Sequence, residues 1–209
     1  MRIAKEGYPL IFAAAILAGA ALVMGWLLLG AFLGLLTLAV ASFFRDPDRV
    51  IPGGEGLIVS PADGKVVSIA HVQRAMVMPD ADTRISIFLS PLDVHINRMP
   101  VSGVIEDIQY QAGKFMAAYK DGATAENERN VVHILERGGK RLAVVQIAGV
   151  LARRIVCHAK RGDKLNRGDR FGLIMFGSRT DTYLPAGCRV EVVEGQRVKG
   201  GETILGRFV

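Results

Sequence analysis

The sequence predicts a mainly β fold, an antiparallel sandwich or barrel over residues 45–209, preceded by an apolar helical segment over residues 1–44. Three observations predict it. No charged residue occurs between Glu6 and Arg45, a run of 38 positions. Beyond it, short alternating runs are punctuated by glycine, the pattern of small all-β domains. Two stretches near the C-terminus, "RGDKLNRGDRFGLI" and "EGQRVKGGETILGRF", echo one another in their spacing of glycine and hydrophobic positions.

The N-terminal run comes first. One spanning helix needs about 20 apolar residues, so 38 uncharged positions suffice for two short spans or one tilted, partly re-entrant segment. Gly25-Trp26 and Gly30 are the places for a tight reversal. A secretory signal peptide has an apolar region of only about 7–15 residues and a small-residue cleavage site, and neither fits. Arg2 and Lys5 flank one end and Arg45 and Arg49 the other, which favours a membrane hairpin with both ends in the cytoplasm. A single span would instead put the rest of the chain outside.

The remaining 165 or so residues are the length of one domain, about 150 residues being usual. The expected strands are "GLIVSPADGKVVSIA", "TRISIFLS", "VSGVIEDIQY", "NVVHILER", "KRLAVVQIAG", "RFGLIMFGS", "CRVEVVEG" and "ETILGRF". Only "GKFMAAYKDGATAENERN" reads as a long loop or short helix. The echoed spacing is similar to the hammerhead turns of biotinyl and lipoyl domains, which makes the expectation a barrel-sandwich-like fold.

Charge and ligand residues exclude several functions. Residues 45–209 carry 24 Lys plus Arg against 19 Asp plus Glu, suiting a domain that rests on an anionic membrane surface. The cluster "ARRIVCHAKRGDKLNRGDR" has no interleaved aromatic residues for base stacking, so nucleic acid is a poor partner; an ordinary solvated basic face is the plain reading. Cys157 and Cys188 have no metal or redox spacing and read as reduced cytosolic thiols. His71, His95, His133 and His158 form no ligand pair, and no metal is expected.

Gly177-Ser178, in "MFGSRTDTYLP", raises the question of chemistry. The flanks are not G-x-S-x-G and no helical pattern follows, against a hydrolase elbow. A plain turn between two strands is the structural reading of such a pair. The chemical one is self-cleavage: Ser178 attacks the Gly177 carbonyl, and the resulting ester eliminates to leave a new N-terminus bearing a ketone. Glycine would permit the strained backbone that the attack requires.

"FFRDPDR", "SPADGKV", "IFLSPLDVHINRMPVSG" and "FGSRTD", in this order, resemble the phosphatidylserine decarboxylase family, in particular its short bacterial and archaeal branch. The resemblance implies a proenzyme that cuts itself between Gly177 and Ser178 into a β chain, 1–177, and an α chain, 178–209. Ser178 then becomes a covalent pyruvoyl cofactor. The substrate implied is phosphatidylserine, and the product phosphatidylethanolamine. Asp63 of "PADG" matches the family's catalytic aspartate, and His95 of "DVHINR" its first histidine. Longer members have a second histidine where Arg98 stands, and read Leu-Gly-Ser-Thr where this chain reads Phe-Gly-Ser-Arg.

Elementary chemistry supports the same cast. A serine is a weak nucleophile and needs a base, usually a histidine oriented by a carboxylate, roles that His95 and Asp63 can fill if the fold brings them to Ser178. His95 would later serve as the acid that reprotonates the decarboxylated substrate. Arg98 cannot be a base, but its fork suits a substrate phosphate or carboxylate. Asp63-Gly64 is also a plain hairpin-turn signal, and a lone histidine between Val94 and Ile96 is often structural. The contrasting class, a membrane-anchored lipoyl-like carrier, would show a modifiable lysine in a tripeptide such as M-K-M, and none occurs.

Overall fold

The computed structural model describes residues 2–72, 75–113, 127–149, 154–175 and 177–209, in two compact units, Met1–Asp48 and Arg49–Val209. The expected loop at 113–130 falls mostly outside the described residues.

In the first unit, β1 (Arg2–Ile3) leads into helix α1 (Tyr8–Val23), which reverses into helix α2 (Leu27–Phe43) and β2 (Arg45–Asp46). Pro9 near the start of α1 costs nothing, because the first-turn N–H has no helical acceptor. Gly25, at φ 79°, makes the turn, in the left-handed conformation that glycine adopts most cheaply. Gly30 does not turn the chain. It lies in α2 against Leu22, whose side chain occupies the space a Cβ would need, 2.4 Å away. The base is closed by the antiparallel pairs Arg2↔Asp46 and Ile3↔Arg45. Lys5–Val23 is long and apolar enough to cross a membrane by length and composition.

The second unit is mainly antiparallel β. Its strands are β3 (Leu57–Val59), β4 (Gly64–His71), β5 (Ala81–Leu89), β6 (Ile96–Arg98), β7 (Gly103–Gln111), β8 (Arg129–Glu136) and β9 (Arg141–Ile147). They continue with β10 (Ile155–Cys157), β11 (Lys164–Leu165), β12 (Arg170–Ile174), β13 (Ser178–Pro185), β14 (Cys188–Val190), β15 (Arg197–Val198) and β16 (Ile204–Phe208). One curled sheet has eight strands, ordered β11-β7-β8-β9-β13-β5-β4-β15, and two sheets of three strands, β10-β12-β6 and β14-β16-β3, accompany it. The inner face packs Val66, Ile85, Ile87, Val132, Ile134, Leu142, Val144 and Leu184 into the main core.

That eight-strand order reads the same from both ends, and the hydrogen bonds repeat with it. Val59 N–H donates to Pro100 O at 2.9 Å, and Arg98 N–H to Pro61 O at 2.8 Å. Gly162 N–H meets Ile105 O and Gly195 N–H meets Val66 O, both at 2.8 Å. Gly168 and Gly201 likewise donate to Met99 O and Ser60 O at 2.8 Å. β4 with β5 and β7 with β8 each carry one bulge at the matching step, Val66/Ser68 and Ile105/Asp107. The domain is therefore built twice about a pseudo-two-fold axis that passes between β9 and β13, at the pair Val144↔Thr182. In this register Asp63 corresponds to Ser102, Leu89 to Glu136, Ser178 to Lys140 and Gly200 to Arg167. The C-terminal echo of the sequence is this repeat: β11 and β12 correspond to β15 and β16.

The expected strand "RFGLIMFGS" is shorter, β12 ending at Ile174. "SRTDTYLP", expected to open with a polar turn, is the central strand β13, buried from Ser178 to Leu184. Its polar side chains are accommodated on both faces. Ser178, Thr180 and Thr182 share the inner face, while Arg179 and Asp181 pair with each other on the outer, at 2.6 Å and 2.9 Å, joined by Ser86 Oγ at 3.1 Å.

Candidate functional site

Ser178 opens β13 opposite Leu89 of β5 and is 0% exposed. Its Oγ has no hydrogen-bond partner among the described residues. Leaving a buried hydroxyl unpaired costs about 1–3 kcal/mol, so the fold keeps this one at some expense. Gly177 before it has φ 62°, and a Cβ there would meet nothing within 4 Å. Glycine is thus required by backbone conformation and not by crowding.

His95 is placed by two elements. Its carbonyl accepts the N–H of Ile174, at the end of β12, and its Nδ1 lies 2.9 Å from the carbonyl oxygen of Asp93. A carbonyl can only accept, so Nδ1 carries the proton and Nε2 of the neutral ring is the basic nitrogen. Asp93 is itself fixed: its carboxylate accepts Ser90 N–H at 2.8 Å and Ser90 Oγ at 2.7 Å, and it pairs with Arg197. From β5 the chain runs through this turn to His95, and from the His95 partner Ile174 it runs through Gly177 to Ser178. Ser178 in turn pairs with Leu89, so histidine and serine are both tied by short connections to the Leu89 end of β5.

Asp63 precedes β4, on the other side of β5 from Ser178, two strand spacings or about 10 Å along the sheet. Its carboxylate accepts Arg49 Nη2 at 2.8 Å and 2.9 Å and the Gly200 N–H at 2.8 Å. The group seen orienting the His95 ring is the Asp93 carbonyl, the task expected of Asp63. Gly64 must be glycine, since a Cβ would stand 2.2 Å from the Phe88 carbonyl oxygen. Arg98 is buried on β6, and its Nη1 donates to Gly168 O at 3.0 Å.

The sequence reading missed a buried amide relay behind this corner. Asn130 Nδ2 donates to Gln146 Oε1 at 2.9 Å, and Gln146 Nε2 donates to Asn97 Oδ1 at 2.8 Å, bridging two sheets. Gln146 faces Thr180 across β9 and β13, two residues from Ser178 on the same face. The relay needs Gly172, where a Cβ would come within 3.0 Å of Gln146 Nε2. The available signal was Gln146 itself, a lone amide in the apolar run "LAVVQIAG".

A cavity of about 530 Å³ lies at the pseudo-equivalent corner, lined by Ser102, Glu136, Arg137, Lys140 and Arg167 among others, and contains none of Ser178, His95 or Asp63. Its cations are engaged with protein groups: Arg137 with Asn166 at 2.9 Å, Lys140 with the Val209 carbonyl at 3.1 Å and Arg167 with the Gly54 carbonyl at 3.0 Å.

A buried serine after a left-handed glycine, with a histidine of set tautomer tied to the same end of β5, supplies residue types suited to acyl transfer within the chain's own backbone. The phosphatidylserine decarboxylase family profile matches residues 36–206. A phosphatidylserine decarboxylase proenzyme of Geotalea uraniireducens is 45% identical over 204 residues, covering 98% of this chain and 95% of the relative. That of Symbiobacterium thermophilum is 48% identical over 206 residues, 99% and 95% of the two chains. That of Granulibacter bethesdensis is 52% identical over 172 residues, 81% and 70%. The chain belongs to the phosphatidylserine decarboxylase family.

Proposed function

We propose that this chain is a pyruvoyl-dependent phosphatidylserine decarboxylase, made as a proenzyme that cuts itself between Gly177 and Ser178. The observation that carries the reading is the family match over residues 36–206, within which Ser178 is the buried, unpartnered hydroxyl that follows a left-handed glycine. His95 Nε2 removes the proton from Ser178 Oγ, which adds to the Gly177 carbonyl and becomes its ester. Elimination frees the Gly177 carboxylate, and water then replaces the nitrogen, which leaves as ammonia, so that residue 178 ends as a ketone.

The residues present suit that group: Ser178 supplies its atoms, and on the same inner face Thr180 stands opposite Gln146, whose amide meets Asn97 of the facing sheet. A pyruvoyl carbonyl supplies the electron sink that a decarboxylation needs. This chain's residues do the rest. The buried corner excludes water, His95 returns a proton to the substrate carbon, and Arg98 is assigned the anionic part of the headgroup while bracing the Gly168 carbonyl. Asp63, held by Arg49 and the Gly200 N–H, supports the corner from across β5.

The barrel-sandwich, biotinyl-like reading of the domain is supported by its internal two-fold repeat. The apolar segment 8–44 is read as a hairpin in the cell membrane, with the catalytic domain in the cytoplasm, its basic flanks on the anionic face where the substrate headgroup lies. The test is a denaturing gel of the purified chain: one large and one small band are expected, and a single uncut band in an active preparation would end the reading.

A further inference from the structure

We infer that the hairpin of residues 8–44 ends inside the bilayer, its tip held among lipid acyl chains without emerging on the far side. The inference rests on the proposed membrane placement and adds where the segment stops. Both ends leave from one side, because Arg2↔Asp46 and Ile3↔Arg45 are paired and Ala4 N–H donates to Phe44 O at 2.8 Å. The arms, of 16 and 17 residues, are about 24 Å and about 26 Å long. A hydrocarbon core is about 30 Å thick, so an upright hairpin, with its turn, brings the tip about to the far boundary, and one tilted by about 20° leaves it inside.

The chemistry of the tip agrees with its reach. Val23 and Leu28 are 90% and 88% exposed, with Met24, Trp26 and Leu27 exposed between them, and no charged residue lies nearer than Glu6 or Arg45. A turn that surfaced in water would set all five apolar side chains there, at about 25 cal/mol per Å² of apolar area. Its backbone is also prepared for lipid, where water cannot satisfy a free N–H. Four consecutive donors are taken internally: Met24 by Ala20 O, Gly25 by Leu22 O, Trp26 by Ala21 O and Leu27 by Gly25 O, at 2.9–3.0 Å. The Thr37 hydroxyl, farther along α2, returns to Leu33 O at 2.8 Å. The arms approach closely through Ala18, Ala21 and Gly30, the small residues that helices use to pack in membranes.

Trp26 is the only tryptophan in the chain, so intrinsic fluorescence reports the tip alone. The full chain is reconstituted in phosphatidylcholine–phosphatidylglycerol vesicles and quenched either with lipids brominated along the acyl chain or with iodide added on either side. Strong acyl-chain quenching with almost none by iodide is expected. In parallel, Met24→Cys should resist an impermeant maleimide from both faces, with labelling at residue 24 mapped by mass, and react once detergent is added. Iodide quenching together with labelling of the Met24→Cys variant at that position from the face opposite the base would overturn the inference while leaving the membrane placement intact. A chain that fails to float with the vesicles would overturn both.

Discussion

The two corners of the curled sheet share one backbone and differ in what they carry. One carries Ser178 opposite Leu89, with Asp63 and Gly200 across β5; at the other, Ser102, Glu136, Lys140 and Arg167 occupy the same places. Even the hydrogen bonds correspond: Gly200 N–H donates to Asp63 Oδ1 at 2.8 Å, and Arg167 N–H to Ser102 Oγ at 2.9 Å. Gly177 and Gly139, one residue before Ser178 and Lys140, are both left-handed, at φ 62° and 87°. The difference teaches that this backbone geometry is a property of the fold. The chemistry proposed for it depends on which side chains were placed on one copy.

The sharpest way to break the comparison is to change the paired positions in parallel. Ser178→Ala should abolish self-cleavage, since it deletes the nucleophile, whereas Lys140→Ala at the twin position should leave a two-band gel. His95→Ala should slow cleavage by about 10²-fold or more, the usual worth of a positioned base. Normal maturation of that variant would move the base elsewhere, with His158 and His71 the next histidines to examine.

The third contrast lies on the outer face. Arg179 corresponds to Arg141, but Arg179 is buried with Asp181 while Arg141 meets Glu106 on the surface. Asp181→Asn should cost about 3–5 kcal/mol in chemical denaturation, because it strands a buried guanidinium. Glu106→Gln should leave the midpoint unchanged within error.

Smaller effects sharpen the account. Asp63→Asn removes a charged acceptor from Arg49 and should destabilise by about 2 kcal/mol and slow cleavage, while Ser102→Ala should cost about 1 kcal/mol and leave cleavage alone. A cleavage defect in both would show that frame and chemistry are not separable. Arg98→Ala, whose twin is the apolar Val59, should mature normally and lose lipid turnover, measured as carbon dioxide released from labelled phosphatidylserine. Unchanged turnover would confine Arg98 to its contact with Gly168.

Much of this was legible in the sequence. Glycines that close turns and alternating apolar residues announced most strands; the charge-free run announced an apolar helical segment, with two spans or one tilted segment open and Gly25-Trp26 and Gly30 as candidate reversals, of which only the first turns the chain. The centre of the sheet was not legible. "SRTDTY" looks like a surface segment because alternation is read as one wet and one dry face, yet β13 is dry on both: Arg179, Asp181 and Ser86 satisfy one another on the outer face, while the hydroxyls of Ser178, Thr180 and Thr182 on the inner face have no partner among the described residues. The orientation of His95 was equally hidden, because the group seen fixing it is a backbone carbonyl, and carbonyls leave no mark on residue identity. The duplication could have been read from "SPADGKV" against "MPVSGVI", two seven-residue stretches whose proline and glycine fall in step.

The central claim is that the chain spends its own Gly177–Ser178 bond to make its catalytic group. The intact mass of the purified protein tests it most directly. The account predicts two species, residues 1–177 and the 32 residues 178–209, the latter lighter by one ammonia than the unmodified peptide and blocked to N-terminal sequencing. An active preparation with the single mass of the uncut 209-residue chain would contradict it.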